Sequence, residues 1–523
     1  MRSSSENRKR SARYLAILAA TALLVAACTG EGGETDSVGT AGDGPSGRVR
    51  FLIAENFWAD WEPYQSTAQS QARLEEQIYD YLVQFPTGDL SAPEPMLATS
   101  WEQIDDTTWE FELRKGVKFH EGQDFTSADV KASIELASGA TETETVTLQN
   151  WVPTTVEVVD DLTVRLVTEK PFAPLLAQLG DTPIVSAEWP EGDARRLKET
   201  PNGTGPFRLI SDTRTRKVME ANTDYWREPA QIKELIWEYV QDPQTRLNAL
   251  VSGQADAIDR VPPEHHETIE GDPNLALSSV TGIESVNLWV RPGRLPIWDE
   301  NEHFRKAVNW SIDRQALVDE LVQGESAVAT SYLPTETRFE VPQEPQYGFD
   351  RDMVEQELEA AGEPDGGPQF ELWVATGFLP GAEQVVSSIA DSMQEVGLKP
   401  KIVTSDVAGM IDDIFSEKGT GAMYHLSWSS NGDPHQAAQV YAPPFAWFFG
   451  DKNLEQLVQE GLTTLDEGQR EKIYNELQSY MWEQSWHVPL YNSDFSIGHS
   501  ASLADLRVQP DFTTDFYPAH LAE

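Results

Sequence analysis

The chain has 523 residues, with 39 Lys and Arg against 86 Asp and Glu, so its formal net charge at pH 7 is −47. A charge of that sign and size argues against binding to nucleic acid or to an anionic lipid surface. The length exceeds what one hydrophobic core usually holds, so two or three lobes are expected.

The first 27 residues have the pattern of a bacterial lipoprotein signal. Basic side chains cluster within residues 1–13, and the apolar run 14–27 ends directly before Cys28, the only cysteine in the chain. The run is shorter than the ~20 residues that a spanning helix needs, and no later segment is apolar enough, so we predict no transmembrane helix. We expect a lipidated Cys28 followed by a flexible tether over residues 28–47. The alternative is an ordinary secretory signal with an incidental cysteine.

Hydrophobic periodicity predicts a mixture of strands and helices in the rest of the chain. Strict alternation predicts strands at 47–54 and 107–119 and a hairpin at 156–167. Apolar residues at helical spacing predict helices at 66–85, 126–137, 243–252, 383–396 and 470–484, and two successive helices within 301–324, the second capped by Asp313. Thr126 and Asp129 form a capping-box pattern at the start of the second of these. This mixture is typical of the α/β or α+β class.

Sequence motifs of the common enzyme classes are absent. The sequence has no zinc-protease histidine pair, serine-hydrolase elbow, Walker motif or cysteine pair for zinc, so we predict no metal, no cofactor and no catalysis. The segment GTGPF (203–207) begins like a dinucleotide-binding fingerprint, but Arg208 replaces its third glycine and Pro206 would break the helix. The alternative is a tight turn in which the glycines adopt positive φ.

Five segments carry a more specific pattern, and they are LATSWEQIDDTTWEFELRKGVKFHEGQDFTSADVKASIE (Leu97–Glu135), GTGPF, LVSGQADA, FRKAVNWSIDRQALVD and SYMWEQSWHVPLYN. Together they resemble the signature regions of the family 5 extracellular solute-binding proteins. These proteins are the dipeptide-, oligopeptide- and nickel-binding receptors of ABC importers. The segments occur in the family's order, and the resemblance extends from residue 51 to about residue 503.

The resemblance implies an α/β fold with two lobes, of the type II periplasmic-binding-protein kind, and an extra subdomain in lobe I. Lobe I would comprise residues 48–282 and 493–523, with the subdomain near 86–200, and lobe II would comprise 283–492. The hinge strands would lie near GIESVNLWV and HVPLYNSDF. The resemblance further implies that a solute is enclosed by hinge closure and delivered unaltered to a permease.

The implied receptor is a monomer at the outer face of the cell membrane, extracellular or periplasmic, held there through its lipid anchor alone. Its partners are the permease subunits of the importer with their ATPases, and it binds no nucleic acid. A peptide is the favoured ligand. The alternatives are an oligosaccharide-binding receptor of the same family, a secreted hydrolase, and a sensory or adhesive surface protein.

The ligand-binding candidates come from the family's pocket. In peptide-binding members a carboxylate just after a Trp often holds the peptide's α-amine, but here Ser429 and Ser430 follow Trp428, and the next carboxylate is Asp433. In this motif Asp433 more often shapes the turn. The missing carboxylate argues against recognition of a free amine, and hydroxyls beside Trp suit a neutral polyhydroxylated ligand. Three further candidates follow the first strand, namely Asn56, Phe57 and Trp58. Four more lie along the hinge strands, namely Trp289, Arg291, Tyr491 and Asn492. For each aromatic candidate the alternative is core packing.

Overall fold

The structure is a computed structural model. It describes residues 44–55, 61, 63–64, 69–86, 92–138, 151–188, 200–322, 326–376, 379, 381–443 and 451–522. The predicted signal, Cys28 and most of the predicted tether lie outside the described residues, as do the candidates Asn56, Phe57 and Trp58.

Strands form at each segment where alternation predicted them, and the other strands were not predicted from alternation. The strands before residue 260 are β1 (Ser46–Ile53), β2 (Val83–Gln84), β3 (Glu94–Pro95), β4 (Ala98–Asp105), β5 (Thr108–Leu113), β6 (Thr154–Asp160), β7 (Thr163–Thr168), β8 (Phe207–Thr213), β9 (Arg216–Ala221), β10 (Ile232–Tyr239) and β11 (Ala257–Asp259). The segments predicted as strands at 47–54, 107–119 and 156–167 correspond to β1, β5 and the β6–β7 hairpin. The later strands are β12 (Leu275–Val290), β13 (Ala327–Val328), β14 (Phe370–Ala375), β15 (Pro400–Ser405), β16 (Met423–Ser429), β17 (Val488–Ser500), β18 (Leu503–Ala504), β19 (Arg507–Val508), β20 (Thr514–Asp515) and β21 (His520–Leu521).

The helices confirm the predicted helical segments, although several are shorter than their periodic pattern. They are α1 (Gln69–Ile78), α2 (Ser127–Ala137), α3 (Leu175–Gly180), α4 (Pro243–Val251), α5 (His266–Glu270), α6 (Pro296–Glu300), α7 (Glu302–Trp310), α8 (Arg314–Ala316), α9 (Arg351–Ala361), α10 (Ala382–Glu395), α11 (Val407–Phe415), α12 (Pro434–Ala438), α13 (Lys452–Thr463) and α14 (Glu467–Gln484). A π turn (Leu317–Leu321) continues α8, and short 3₁₀ segments lie at Pro263–His265 and Gln439–Tyr441.

An 11-stranded mixed sheet is the largest unit of the fold. Its strand order is β15-β14-β16-β12-β17-β11-β1-β10-β9-β8, and β13 pairs with β17 off this path. The antiparallel pair of β12, with 16 residues, and β17, with 13 residues, lies in the middle of the sheet. These two strands therefore join the β8–β11 side of the sheet to the β14–β16 side.

Separate buried cores lie on either side of this strand pair. The first core surrounds β1 and β10 and includes Phe51, Trp237 and Phe495. The second core lies against β14 and α10 and includes Val286 and Leu490. Because β12 and β17 contribute side chains to both cores, each strand passes from one core into the other. The mixture of helices and strands confirms the predicted α/β class.

A four-stranded antiparallel sheet, in the order β4-β5-β7-β6, forms a smaller unit. In β5 the alternation predicted from the sequence is confirmed, because Phe111 and Leu113 are buried and Glu112 is exposed. The predicted capping box at α2 is also present, since the Asp129 carboxylate accepts a hydrogen bond from the Thr126 amide at 2.7 Å. Helix α2 packs against β6 and covers this sheet.

The GTGPF segment owes its glycines to close packing. The expectation of positive φ was wrong, because neither Gly203 nor Gly205 has it. A Cβ on Gly203 would lie 2.0 Å from the Ile78 carbonyl oxygen, and one on Gly205 would lie 2.6 Å from the same atom. The end of α1 therefore contacts this backbone directly. His120 joins this contact, since its Nε2 lies 3.0 Å from the Gly205 carbonyl oxygen and burial lowers its pKa to about 4, so Nε2–H donates.

Candidate functional site

The predicted hinge segments meet where β16, β12 and β17 lie side by side. In this register Trp428 is opposite Ser285, which is opposite Asn492. The next row contains Ser429, Glu284 and Ser493 in the same arrangement. Directly opposed residues on neighbouring strands point to the same face, so the two rows present different side chains to opposite faces of the sheet. We call the second set, Ser429, Glu284 and Ser493, the hinge row.

Glu284 is the unusual member of the hinge row. Its relative exposure is 6 %, and its Oε2 atom is buried without a hydrogen-bond partner among the described residues. Burial raises the pKa of Glu284, whereas the positive charge of Arg260 and the hydroxyls of Ser427 and Ser493 lower it, and the negative charge of Glu55 adds to the rise. A buried carboxylate that lacks a full set of partners is costly, so its presence calls for a physical reason.

The positive charge of Arg260 acts on both Glu284 and Glu55, which lies shortly after β1. The Arg260 Nη2 lies 2.6 Å from the Glu55 Oε1, and its guanidinium lies 5.8 Å from the Phe512 ring centroid. The charges of Glu55, Glu284 and Asp259 raise the pKa of Arg260 despite its burial. Glu55 is the residue immediately before the candidates Asn56, Phe57 and Trp58, so the first-strand loop starts beside the hinge row.

The two tryptophan candidates differ in burial. Trp289 is 3 % exposed and stacks on Tyr441 with ring centroids 5.9 Å apart, so it is part of a buried aromatic cluster. Trp428 is only half-buried. Its indole Nε1 donates a hydrogen bond to the Gln436 carbonyl at 3.1 Å, and its ring meets Trp289 edge-on at 6.3 Å. Trp428 is thus the tryptophan of this pair that retains surface for a ligand.

His487, which packs on Trp289, should remain neutral at acidic pH. Burial and the nearby Arg314 charge lower its pKa to about 3, and its ring nitrogens lie 2.8 Å from the Tyr441 hydroxyl and 2.9 Å from the Asn287 Oδ1. The unfolded chain protonates this imidazole near pH 6.5. The contribution of His487 to folded stability therefore falls as pH drops below that value, by about 2 kcal/mol at pH 5. NMR titration should show an unprotonated ring at pH 5; protonation there would contradict the prediction.

The turn after β16 already uses two of the polar candidates. The Ser430 hydroxyl accepts a hydrogen bond from the Gly432 amide at 3.0 Å and donates one to the Asp433 carbonyl at 3.1 Å. The Asp433 carboxylate accepts a hydrogen bond from the His435 amide at 2.8 Å and so caps α12. Both of its oxygens also receive hydrogen bonds from Arg470 at 2.7 Å. These contacts are those of a structural turn.

Tyr491 and Asn492 are buried in β17 beside the same rows. Tyr491 is opposite Val286, and burial together with the Glu284 charge raises its pKa. The Asn492 Nδ2 donates to the Thr335 hydroxyl at 2.7 Å. Its Oδ1 is buried and has no hydrogen-bond partner in the described part of the chain. The structure thus brings these two candidates next to Trp428 and Ser429.

The structure does not place Arg291 near the hinge row. Arg291 follows the last residue of β12, and its amide donates to the Ala422 carbonyl at 3.0 Å. At about 3.3 Å per residue, seven residues of strand separate it from Glu284 by roughly 23 Å. Burial together with the nearby Arg294 charge lowers the pKa of Arg291.

Glu284 was not among the binding candidates predicted from the sequence, although it lies within one of the predicted hinge strands. The available signal was a carboxylate inside the apolar run GIESVNLWV, because Glu is rarely buried without a partner. Ser285 and Ser493 were missed as well. They had no comparable signal, since a serine in a strand is common at exposed positions.

The described residues contain no group of three or more His, Cys, Asp or Glu side chains arranged to hold a metal ion. Within the same ranges, no helix combines the length and the apolar character that a membrane span requires.

Comparison with known proteins agrees with the resemblance seen in the sequence. Residues 92–446 match the family described as bacterial extracellular solute-binding proteins, family 5 middle. The glutathione-binding protein GsiB of Salmonella choleraesuis is 27 % identical over 446 residues, which cover 82 % of this chain and 86 % of the relative.

Solved structures show the same architecture. HbpA2 of Haemophilus parasuis superimposes with a TM-score of 0.77 at 25 % identity, covering 91 % of this chain and all of that one. The DppA protein of Helicobacter pylori, in complex with the peptide STSA, gives a TM-score of 0.80 at 20 % identity and covers 92 % of this chain and 99 % of the other. The fold is therefore the two-lobe type II fold of periplasmic binding proteins.

The chain belongs to the bacterial extracellular solute-binding proteins of family 5. Members of this family are substrate-binding proteins of transporters rather than enzymes, and they act in the periplasm or outside the cell.

Proposed function

We propose that this protein is the receptor of an ABC importer that encloses a peptide-like ligand between its two lobes and delivers it to the permease. The observation that carries the proposal is the paired crossing of β12 and β17 between two separate cores, with half-buried Trp428 beside it. Two of the similar proteins support a peptide-like ligand. One is described as a glutathione-binding protein, and the other was solved in complex with the peptide STSA.

The proposed lobes follow the distribution of the cores. Residues 48–282 and 493–523 would form lobe I, with the β4–β7 sheet in its subdomain, and residues 283–492 would form lobe II. Bending at the two crossing strands would close the space between the lobes. A ligand that contacts both lobes binds the closed form more tightly, and this differential affinity shifts the protein toward closure.

Membrane attachment is proposed on the sequence alone. The signal pattern at 1–27 and the position of Cys28 support a lipidated protein at the outer face of the membrane. Such an anchor would keep a monomeric receptor close to the permease and its ATPases.

An oligosaccharide is the second candidate ligand, because Ser429 and Ser430 stand where a carboxylate was expected. The peptide remains preferred, since the Ser430 hydroxyl is already engaged in the turn.

Native mass spectrometry of the purified protein, before and after incubation with glutathione or a tripeptide pool, tests the proposal. We expect a one-to-one complex whose ligand is recovered with unchanged mass, and a smaller radius of gyration by X-ray scattering when it is bound. Recovery of a cleaved ligand would favour a hydrolase instead, and capture of a sugar from an oligosaccharide pool would favour the second candidate.

Trp428→Ala provides a variant test of the ligand site. We expect at least tenfold weaker binding of the captured ligand, with less than about 2 kcal/mol lost in stability because the ring is only half-buried. Trp289→Ala is the matched control, since this fully packed ring should cost about 3–5 kcal/mol of unfolding free energy. Equal losses of stability in the two variants, measured by urea denaturation, would mean that Trp428 is also a core residue.

A further inference from the structure

We propose that Glu284 binds a primary ammonium group of the ligand, and that the hinge strand thereby supplies the carboxylate missing after Trp428. This inference rests on the proposed peptide-receptor function and deepens it by naming the ligand group that Glu284 selects. Three observations support it: the place of Glu284 in the sheet, its unpartnered Oε2 atom and the charges around it.

The position of Glu284 is at the junction between the cores. Four residues before it, Val280 packs against the first core, and two residues after it, Val286 is buried in the second. The pairing of β12 with β17 is irregular between Thr281 and Glu284, so the strand changes course there. A group at such a junction is covered when the lobes close and becomes accessible when they open.

The hinge row places the carboxylate next to the position where it was expected. Glu284 is directly opposite Ser429, and opposed side chains on neighbouring strands lie about 5 Å apart on one face. A carboxylate on β12 can therefore reach the same space as one at position 429. The Asp433 carboxylate cannot take this role, because both of its oxygens are bound to Arg470.

The partners of Glu284 leave room for a cation. The Ser427 and Ser493 hydroxyls hydrogen-bond to its carboxylate, but its Oε2 is buried without a hydrogen-bond partner among the described residues. Arg260 attracts it from a distance, but the Arg260 Nη2 is engaged by Glu55 at 2.6 Å. The Arg260 guanidinium is thus shared between Glu55 and Glu284. An ammonium beside Glu284 would give its carboxylate a counter-charge of its own.

A primary ammonium is the chemical group that fits. It has a compact charge and three donors, so it can satisfy Oε2 and share hydrogen bonds with serine hydroxyls in the row. A ligand whose amine is acetylated has lost that charge. It would leave the buried carboxylate uncompensated, and this penalty should discriminate strongly against it.

The test measures discrimination between two synthetic pools by competition and native mass spectrometry. One pool contains Ala-X-Ala tripeptides with free amino termini, and the other contains the same peptides N-acetylated. We expect the unaltered protein to bind the free-amine pool at least tenfold more tightly. Glu284→Gln should lose most of that ratio, and Glu284→Asp, which keeps the charge but shortens the side chain, should lose part of it. Glu355→Gln, on an exposed face of α9, is the control and should keep the full ratio.

Each outcome has a defined meaning. Equal binding of the two pools by the unaltered protein overturns the ammonium subsite while the peptide-receptor proposal stands. An undiminished ratio in both Glu284 variants also overturns it, because the amine would then be held elsewhere. Binding of neither pool overturns the peptide-receptor proposal itself. Since the readout is a ratio, a uniform loss of affinity in a destabilised variant does not imitate the expected result.

Discussion

Replacing Arg470 with methionine is expected to lower the free energy of unfolding by about 3–5 kcal/mol, because the change leaves the Asp433 carboxylate buried without its counter-charge. The two side chains are 4 % and 6 % exposed and are joined by two hydrogen bonds of 2.7 Å. Burial alone would raise the pKa of Asp433, but the Arg470 charge and hydrogen bonds more than offset it and hold the pKa below its usual value.

The contribution of Asp433 should therefore persist from neutral pH down to the usual titration range of a carboxyl. It should disappear only as pH falls through the lowered pKa of the folded state. Urea denaturation at pH 7 measures the loss in Arg470→Met.

An exposed ion pair between α9 and the end of α10 provides the control. Arg351 and Glu395 are 2.6 Å apart, but their side chains are 45 % and 61 % exposed. Arg351→Met should therefore change stability by less than about 1 kcal/mol. If Arg470→Met also cost less than that, the Asp433–Arg470 pair would not be what holds the turn after β16 in place.

The second large effect is expected at the GTGPF segment. Gly203→Ala should cost about 3 kcal/mol or more, because the new methyl group would lie 2.0 Å from the Ile78 carbonyl oxygen and the backbone of α1 must move. The midpoint of thermal unfolding should fall accordingly. Gly348→Ala is the matched control, since a Cβ added there would have no atom within 4 Å and the φ of Gly348 is not positive.

The two glycine variants separate two explanations of the motif. If Gly203→Ala were as stable as Gly348→Ala, the backbone contact with α1 would be looser than the structure shows. A large loss would establish close packing as the reason for glycine at this position.

Several elements followed directly from local sequence. The alternation in β5, the capping box of α2 and the helix stopped before Gly253 all depend on residues within a few positions of one another. Such patterns report local geometry faithfully because the periods of helix and strand are fixed. The helix predicted over 66–85 was too long at its C-terminal end. The described helix stops at Ile78, and Asp80 just beyond it accepts hydrogen bonds from Thr204, Tyr225 and Trp226.

The candidate site was only partly accessible to the same reasoning. Family pattern directed attention to Trp428, Ser429, Tyr491 and Asn492, and the sheet register brings these residues together. Their role in binding stays a prediction. Arg291 was selected on the same basis, yet it lies just beyond the far end of β12. A residue can belong to a predicted hinge strand and still lie far along that strand from Glu284.

The types of secondary-structure element, the order of the family motifs and the absence of the common enzyme signatures can all be inferred from the amino-acid sequence. The pairing of Glu284 with Ser429, the ion pair of Asp433 with Arg470 and the contact of Gly203 with the end of α1 are visible only in the folded protein. Periodicity is set by neighbours in the chain. Register, burial and charge environment, by contrast, depend on segments distant in sequence, whose side chains meet only when the sheet has formed.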